Sequence, residues 1–294
     1  MKIFKYFALL FFLVSNLYSQ SKENFSFAVS ISAYSIADQN RIKNLASSLL
    51  NKINDEIPRN ISMSFYEDEE KLLDDFKNKK NINIMILSPL FYFKNKKLVK
   101  EISKNPFIFK SQEIRKSQLL LIANKNSKIN SINDLNDKAF ANSLYLKNNS
   151  LWLDYLTLKK LNKSYKKIIK NESVSTKTST ALLDVYFNKA DFCTIDENVY
   201  EDMLVLNPSL NKNLTIIEHS DEIFFFAFAS VHKDMSSESV KELNDFITNE
   251  KFKSNFREFF KLVNLYSASL IEFKDLKEIE EFYEEYENLK KKYN

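Results

Sequence analysis

The chain has 294 residues with 43 Lys or Arg and 39 Asp or Glu, so its formal net charge at neutral pH is +4, and it contains one cysteine and no glycine. The near balance of charge excludes the strongly basic surface of a nucleic-acid-binding protein. Without glycine the chain lacks phosphate-binding loops, dinucleotide-binding fingerprints and nucleophile elbows of the usual kind, and a single cysteine cannot form an internal disulfide. Turns that need a positive φ must use Asn or Asp instead.

The N-terminus predicts export. Residues 1–5 carry two lysines, residues 6–14 form an apolar run, and residues 15–20 follow as a stretch with small residues. This layout is typical of a secretory signal peptide, and we expect residues 1–19 to be removed by cleavage near Ser19. The apolar run is shorter than the ~18–20 residues that span a bilayer. An uncleaved N-terminal anchor is the alternative.

The first part of the chain alternates strands and helices. Apolar residues that alternate with polar ones or form short runs predict strands, and apolar residues at helical spacing predict helices. The predicted strands cover 25–31, 61–65 and 82–87, and the predicted helices cover 38–53 and 67–76. Ser88 and Pro89 end the third strand. Repeated βα units of this kind build a parallel sheet with right-handed crossovers.

A second βα series follows. A strand at 116–124 leads into a polar turn at 131–135. The later strands are predicted at 139–142, 167–170, 191–195, 214–218 and 223–230, and the helices at 150–161, 178–188 and 197–206. From residue 236 onward the spacing is helical, with an apolar stripe over 252–263 and a charged last helix over 275–294.

Three segments carry local motifs. In 82–92 a buried strand precedes a small residue, a proline and an aromatic residue, 127–138 begins Ser-x-Ile and ends Asp-Leu-Asn-Asp-Lys, and 181–191 is a helix that ends in Asn-Lys-Ala-Asp. With the order of elements over 25–248, these segments resemble the phosphonate, phosphite and phosphate substrate-binding proteins of ABC transporters, which have the type 2 periplasmic-binding-protein fold. Asn188 stands where that family usually has glycine.

The resemblance implies an α/β fold of two lobes, each a small mixed sheet flanked by helices, with the chain crossing between the lobes twice. The crossings would fall near Ala123 and Ile223. Lobe one would then contain residues 21–122 and 223–294, and lobe two residues 124–221. The charged C-terminal helix has two possible roles. It packs on lobe one, or it docks another protein.

The candidate ligand site follows from a general rule. Ligands of open α/β sheets bind beyond the carboxyl ends of the strands, where helix N-termini favour an anion. Polar residues stand at these places in both predicted lobes. The candidates are Ser32, Tyr34, Ser35, Ser88 and Tyr92 in lobe one, and Asn149, Ser150, Ser175, Thr176, Lys177 and Thr178 in lobe two. Because Ser, Thr and Asn also cap helices that bind nothing, and tyrosines often only pack, each position has a structural alternative.

The sequence argues against catalysis. The two histidines, His219 and His232, are isolated, Cys193 lies in an apolar strand, and no His-x-x-x-His or Cys-x-x-Cys spacing predicts a metal site. We therefore expect no cofactor, no metal and no nucleic-acid partner. The sequence predicts a monomeric periplasmic protein that captures a small phosphate-, phosphite- or phosphonate-like oxyanion for a membrane permease. The alternative is a ligand-sensing module that signals to a membrane kinase or cyclase.

Overall fold

The structure, a computed structural model, describes most of the predicted mature chain. The described residues are 23–32, 36–54, 60–110, 118–143, 147–175, 177–221, 227–249, 254 and 267–293. The predicted signal peptide, the predicted contacts Tyr34, Ser35 and Thr176, and nearly all of the stripe at 252–263 lie outside these residues. Within them, no helix is long and apolar enough to cross a bilayer.

The first lobe is built on a six-stranded mixed sheet. Its strands are β1 (Phe25–Ser30), β2 (Ile61–Tyr66), β3 (Ile84–Leu87), β4 (Ser103–Lys110), β10 (Ala227–His232) and β11 (Ser267–Leu270). Their order is β11-β4-β10-β3-β1-β2. Strands β1, β2 and β3 are parallel, β10 runs antiparallel to β3 and β4, and β11 runs antiparallel to β4. The helices of this lobe are α1 (Ile36–Asn54), α2 (Glu69–Lys77), α3 (Pro89–Ile102) and α8 (Ser237–Thr248).

The second lobe is built on a five-stranded mixed sheet. Its strands are β5 (Leu119–Asn124), β6 (Ala139–Ser143), β7 (Asn171–Ser175), β8 (Phe192–Asp196) and β9 (Leu214–His219), in the order β7-β6-β8-β5-β9. Strand β6 is parallel to β7 and β8, and β5 is antiparallel to β8 and β9. The helices here are α4 (Lys147–Leu161), α5 (Thr178–Tyr186), α6 (Glu197–Leu206) and the short α7 (Leu210–Asn213). The predicted two-lobed α/β fold is confirmed.

Side-chain caps fix where several helices begin. The carboxylate of Asp68 accepts from two backbone N–H groups of α2, and Asp196 accepts from the N–H of Asn198 in α6. Ser236 caps α8 in the same way. These contacts satisfy N–H groups that have no partner inside the helix, which is why Asp and Ser precede the helical spacing in the sequence.

Residues with positive φ show how a chain without glycine makes its turns. Seven described residues have a positive φ. Four of them are Asn and one is Asp, as the sequence predicts. The other two are Lys79 and Lys128. Asn188 follows α5 with φ of 59°, at the motif position where glycine is usual in the resembled family.

Several predicted elements need correction. The strand predicted at 167–170 is wrong: Tyr165–Lys167 is a 3₁₀ turn, and the strand is β7, four residues later. Ile168 and Ile169 made this stretch look like a strand, but both donate backbone N–H bonds to the carbonyl of Tyr165. The helical pattern predicted from residue 236 to the end is interrupted by strand β11.

Helix α3 and strand β4 were not predicted. Pro89 was taken as the end of a strand, but it occupies the first turn of α3 behind the N-cap Ser88, a position that proline favours. Pro106 in β4 lies at an irregularity in the pairing of β4 with β10, where a strand tolerates the missing N–H.

The two sheets place the lobe boundaries differently from the prediction. Strand β5 pairs with β8 and β9, so residues 119–122, predicted in lobe one, lie in the sheet of lobe two. The first crossing therefore runs between 110 and 119, and the second runs between 219 and 227. The boundary shifts because the apolar run of β5 is buried on both faces within the second sheet.

The C-terminal helix α9 (Lys277–Tyr293) packs against both lobes. On lobe one, Tyr283 stacks on Phe93 of α3 with ring centroids 3.9 Å apart. On lobe two, the Tyr286 hydroxyl donates to Asp154 of α4 at 2.9 Å. The interpretation of α9 as a helix on lobe one alone is therefore incomplete, because its apolar side joins one core that extends into both lobes.

Candidate ligand site

Helix N-termini line the carboxyl edge of each sheet. Parallel strands β1, β2 and β3 lead into α1, α2 and α3, and parallel strands β6, β7 and β8 lead into α4, α5 and α6. The N–H groups at these helix starts point away from the helix and carry a partial positive charge. Both edges are therefore places where an anionic ligand can bind.

Ser88 is the best-defined predicted residue in lobe one. Its hydroxyl caps α3 by accepting from the N–H of Phe91 at 3.3 Å. The N–H of Ser88 donates to Oε1 of Glu69 at 2.7 Å, and its hydroxyl donates to Oε2 at 2.9 Å. The predicted anion donor at this helix start is thus bound to a carboxylate of the same chain.

Glu69 brings the end of β1 into the same cluster. The Ser32 hydroxyl lies 3.5 Å from Oε2 of Glu69 and 3.2 Å from the hydroxyl of Ser30. Sequence reasoning missed Glu69 because Glu69 and Glu70 together look like a solvated helix face. The available signal was its position, in the first turn of a helix that begins at the carboxyl edge of the sheet.

Tyr92 lies in the core. Its side chain has 0 % exposed surface, stacks on Phe228 with ring centroids 4.1 Å apart, and donates its hydroxyl to Glu280 of α9 at 2.7 Å. Burial, together with the Glu280 carboxylate, raises the pKa of the Tyr92 hydroxyl. In this structure Tyr92 therefore joins α3 to α9 instead of facing the edge of the sheet.

Lobe two gathers hydroxyl groups at the start of α5. Ser143 ends β6 beside Ser175, its pairing partner at the end of β7. The hydroxyls of Ser143 and Thr178 lie 3.3 Å apart, and Ser175 donates to the carbonyl of Lys177 at 2.9 Å. Ser143 was not predicted as a ligand contact, although it ends a strand at the same edge of the sheet as the predicted contacts Ser175 and Thr178.

The first turn of α5 has no side-chain cap. Lys177 is its N-cap residue, is exposed, and makes no capping hydrogen bond through its side chain. As the N-cap residue, Lys177 brings a positively charged side chain to the same helix start as Thr178 and the neighbouring Ser175. Donors and positive charge thus coincide at this point.

A second polar group lies at the starts of α4 and α6. Asn149 donates from Nδ2 to the carbonyl of Thr194 at 3.1 Å, but its Oδ1 has no partner among the described residues. The hydroxyl of Thr194 and Oδ1 of Asn198 are also buried without a partner there. An unpaired buried polar atom lowers stability by about 1–3 kcal/mol. These three atoms can therefore form further hydrogen bonds at this end of lobe two.

Ser150 contacts Tyr165. Burial, helped by the carboxylates of Glu172 and Asp154, raises the pKa of the Tyr165 hydroxyl, and a hydrogen bond with Ser150 opposes this shift. Ser150 is partly buried, in the first half of α4. The predicted residues Asn149 and Ser150 therefore lie together but face different partners.

The groups typical of catalysis are either dispersed or buried. No cluster of three or more His, Cys, Asp or Glu that could hold a metal occurs in the described ranges. Burial raises the pKa of Cys193, which keeps its thiol protonated. His232 is buried beside Phe76, with ring centroids 5.2 Å apart. The carboxyl edges of the two sheets instead offer hydrogen-bond donors to a small ligand.

Solved structures share this fold. A binding protein of an ABC phosphonate transporter from Pseudomonas aeruginosa is 18% identical with a TM-score of 0.57, and the match covers 93% of this chain and 90% of that one. PhnD1 from Prochlorococcus marinus in complex with methylphosphonate is 16% identical with a TM-score of 0.55, covering 89% and 97%. XAC2383 from Xanthomonas citri bound to ATP is 10% identical with a TM-score of 0.62, covering 93% and 100%.

A comparison with curated proteins finds no significant match. The sequence model of the ABC transporter phosphonate periplasmic substrate-binding proteins matches residues 31–272. That range begins at the residue after β1 and ends two residues after β11, so it includes all the strands of the two sheets except β1. The family is one of solute-binding proteins that work with a membrane permease. The chain therefore belongs to the phosphonate-type periplasmic substrate-binding proteins of ABC transporters.

Proposed function

We propose that this protein captures a small oxyanion of the phosphonate, phosphite or phosphate type and delivers it to its permease. The observation that carries this proposal is the cluster at the start of α5, where Ser143, Ser175, Thr178 and Lys177 meet an N-terminus without a side-chain cap. The Prochlorococcus marinus structure with methylphosphonate supports the same ligand class.

The ligand would lie mainly against lobe two. Thr176 lies between Ser175 and Lys177 in the sequence, and Asn149 and Ser150 lie in the first half of α4. These three residues complete the proposed contacts on this lobe. Tyr34 and Ser35 follow β1 and are the proposed contacts from lobe one, with Ser88 beside Glu69.

The expected interaction free energies are large enough for micromolar binding of an anion. A helix N-terminus contributes about 0.3–1 kcal/mol to anion binding, and about 2 kcal/mol when partly buried. Each hydrogen bond to a charged group adds about 1.5–3 kcal/mol. At the upper ends of these ranges, two helix starts and four such bonds give about 16 kcal/mol, which leaves the roughly 8 kcal/mol of micromolar binding after an association cost of about 8 kcal/mol.

We further propose that the protein acts as a monomer, does no chemistry on its ligand, and reaches the periplasm by cleavage near Ser19. The mass of the protein recovered from the periplasm tests the cleavage. Light scattering tests the monomer, and unchanged ligand after prolonged incubation tests the absence of catalysis.

Calorimetric titration of the purified chain with methylphosphonate, phosphite and phosphate tests the function. Lys177→Gln removes the charge at the start of α5, and we expect it to weaken binding about tenfold, the loss of one charge-assisted hydrogen bond. Lys170→Gln is the matched control, because Lys170 is an exposed lysine next to the opposite end of β7. If Lys177→Gln and Lys170→Gln bind the ligand with equal affinity, the site is not at the start of α5.

A further inference from the structure

Glu172 lies in β7, an edge strand of the second sheet, and is bound to the neighbouring strand β6. Its Oε1 accepts from Nδ2 of Asn142 at 2.7 Å. The glutamate is exposed, whereas Asn142 is buried. Because Glu172 stands three residues before Ser175, it lies about 10 Å along the strand from the start of α5. At that distance it acts on a ligand there through other residues and not by contact.

Asn142 connects Glu172 to the hydroxyls at the start of α5. Its Oδ1 accepts from the N–H of Ser143 at 2.8 Å. Its backbone carbonyl lies 3.2 Å from the hydroxyl of Ser175, which also donates to the carbonyl of Lys177. Ser143 and Ser175 are paired at the ends of β6 and β7. The placement of both serines therefore depends on how Asn142 is held.

The carboxylate of Glu172 determines which way the amide of Asn142 points. A carboxylate only accepts hydrogen bonds, so the NH₂ group of Asn142 must face Glu172 and its oxygen must face the N–H of Ser143. The reversed amide would set its oxygen against the carboxylate and its NH₂ group against the N–H. Both of those contacts would leave polar groups unpaired, which is unfavourable at a buried residue.

Tyr165 extends the same chain of hydrogen bonds to α4. Its ring is buried and packs edge-on against Phe140, with ring centroids 5.7 Å apart. Its hydroxyl forms hydrogen bonds with Glu172 and with Ser150. Since Glu172 can only accept, Tyr165 donates to it and accepts from Ser150. Glu172 thus joins the first half of α4 to the start of α5.

We propose, on the basis of the function above, that Glu172 is a positioning residue for the oxyanion site. It orients Asn142, and through Asn142 it holds Ser143 and Ser175 where their hydroxyls meet the ligand. Its own charge opposes the binding of an anion, because like charges repel. Positioning and charge therefore predict opposite effects when the carboxylate is replaced by a neutral group.

The test is a calorimetric titration with methylphosphonate of wild type, Glu172→Gln, Tyr165→Phe and the double variant. Gln has the size of Glu but can donate as well as accept, so it no longer fixes the directions of the bonds to Asn142 and Tyr165. Tyr165→Phe removes the hydroxyl and keeps the ring.

Each single variant has a matched control. Glu238→Gln removes the charge of an exposed glutamate in the first turn of α8, on lobe one. Tyr200→Phe removes the hydroxyl of another buried tyrosine of lobe two, which donates to Asn211 of α7 at 3.4 Å.

We expect Glu172→Gln to weaken methylphosphonate binding about tenfold although it removes a negative charge, since about one hydrogen bond to the anion is lost. Tyr165→Phe should weaken binding by a similar factor. The double variant should bind no more weakly than the weaker single variant, because the two residues act in one chain of hydrogen bonds. Both controls should bind like wild type, and the urea midpoint of Glu172→Gln should equal that of wild type.

Unchanged or tighter binding by Glu172→Gln overturns this inference and leaves the proposed function intact. Weaker binding together with a lower urea midpoint also overturns it, since the role is then structural, and so do additive losses in the double variant. If Tyr165→Phe fails to fold, Glu172→Gln alone decides. Wild-type protein that binds none of methylphosphonate, phosphite and phosphate overturns the proposed function itself.

Discussion

The buried contact between Tyr286 of α9 and Asp154 of α4 predicts a measurable loss of stability. The Tyr286 hydroxyl donates to Oδ2 of Asp154 at 2.9 Å. The other carboxylate oxygen accepts from the hydroxyl of Ser164 at 2.5 Å and from the N–H of Tyr165 at 3.2 Å. Tyr286→Phe removes the only donor that the described residues offer to Oδ2 and keeps the ring in place.

The magnitude follows from what is left unpaired. A hydrogen bond to a charged group contributes about 1.5–3 kcal/mol, and a buried charge left without its donor lies at the upper end of this range. We therefore expect Tyr286→Phe to lower the free energy of unfolding by about 2–3 kcal/mol. Ser164→Ala should cost less, about 1–2 kcal/mol, because Oδ1 keeps the N–H of Tyr165.

Urea unfolding followed by tryptophan fluorescence is the assay. Trp152 is the single tryptophan of the chain and lies buried in α4, two residues from Asp154. Tyr293→Phe is the matched control, since it makes the same change near the end of α9, where the described residues offer the hydroxyl no hydrogen bond.

Equal midpoints for Tyr286→Phe and Tyr293→Phe would refute the reasoning. They would mean that the contact between α9 and lobe two contributes nothing to stability. If Ser164→Ala lowers the free energy of unfolding more than Tyr286→Phe does, Asp154 stabilises the protein mainly through its contact within lobe two and less through its contact with α9.

Two further predictions concern buried titratable groups. Burial, with the charges of Lys79 and Lys233, lowers the pKa of His232 and outweighs the opposing effect of Asp234. His232 is therefore neutral when folded, and the stability this gives is present above the unfolded pKa of about 6.5 and lost as the pH falls below it. Urea midpoints at pH 8 and pH 5 should differ less in His232→Gln than in wild type, and an equal difference would contradict the assignment. Because Cys193 is fully buried with a raised pKa, a thiol reagent should label it only at the rate of unfolding, and fast labelling of the native protein would contradict its burial.

The order of strands and helices could be predicted because periodic burial is a local property of the sequence. The run of β5 and the apolar spacing of α2 needed no knowledge of their partners. The lobe that β5 joins depends on its pairing with β8 and β9, which start about 70 to 95 residues later. That long-range choice moved the lobe boundary by a few residues.

The candidate site was predictable only in part. Ser175, Lys177 and Thr178 could be named because polar residues follow a strand and begin a helix. Glu69 and Ser143 could not, because their roles depend on hydrogen bonds to Ser88 and Thr178, which lie 19 and 35 residues away in the sequence. The bond that buries Tyr92 could not be predicted for the same reason, since its partner Glu280 lies 188 residues away.

A crystal structure of the purified chain with methylphosphonate tests the central claim most directly. We expect the phosphonate oxygens to lie about 2.7–3.1 Å from the donors at the start of α5, among them the hydroxyl of Thr178. Methylphosphonate bound away from the start of α5, or absent from a crystal grown at millimolar ligand, would contradict the account.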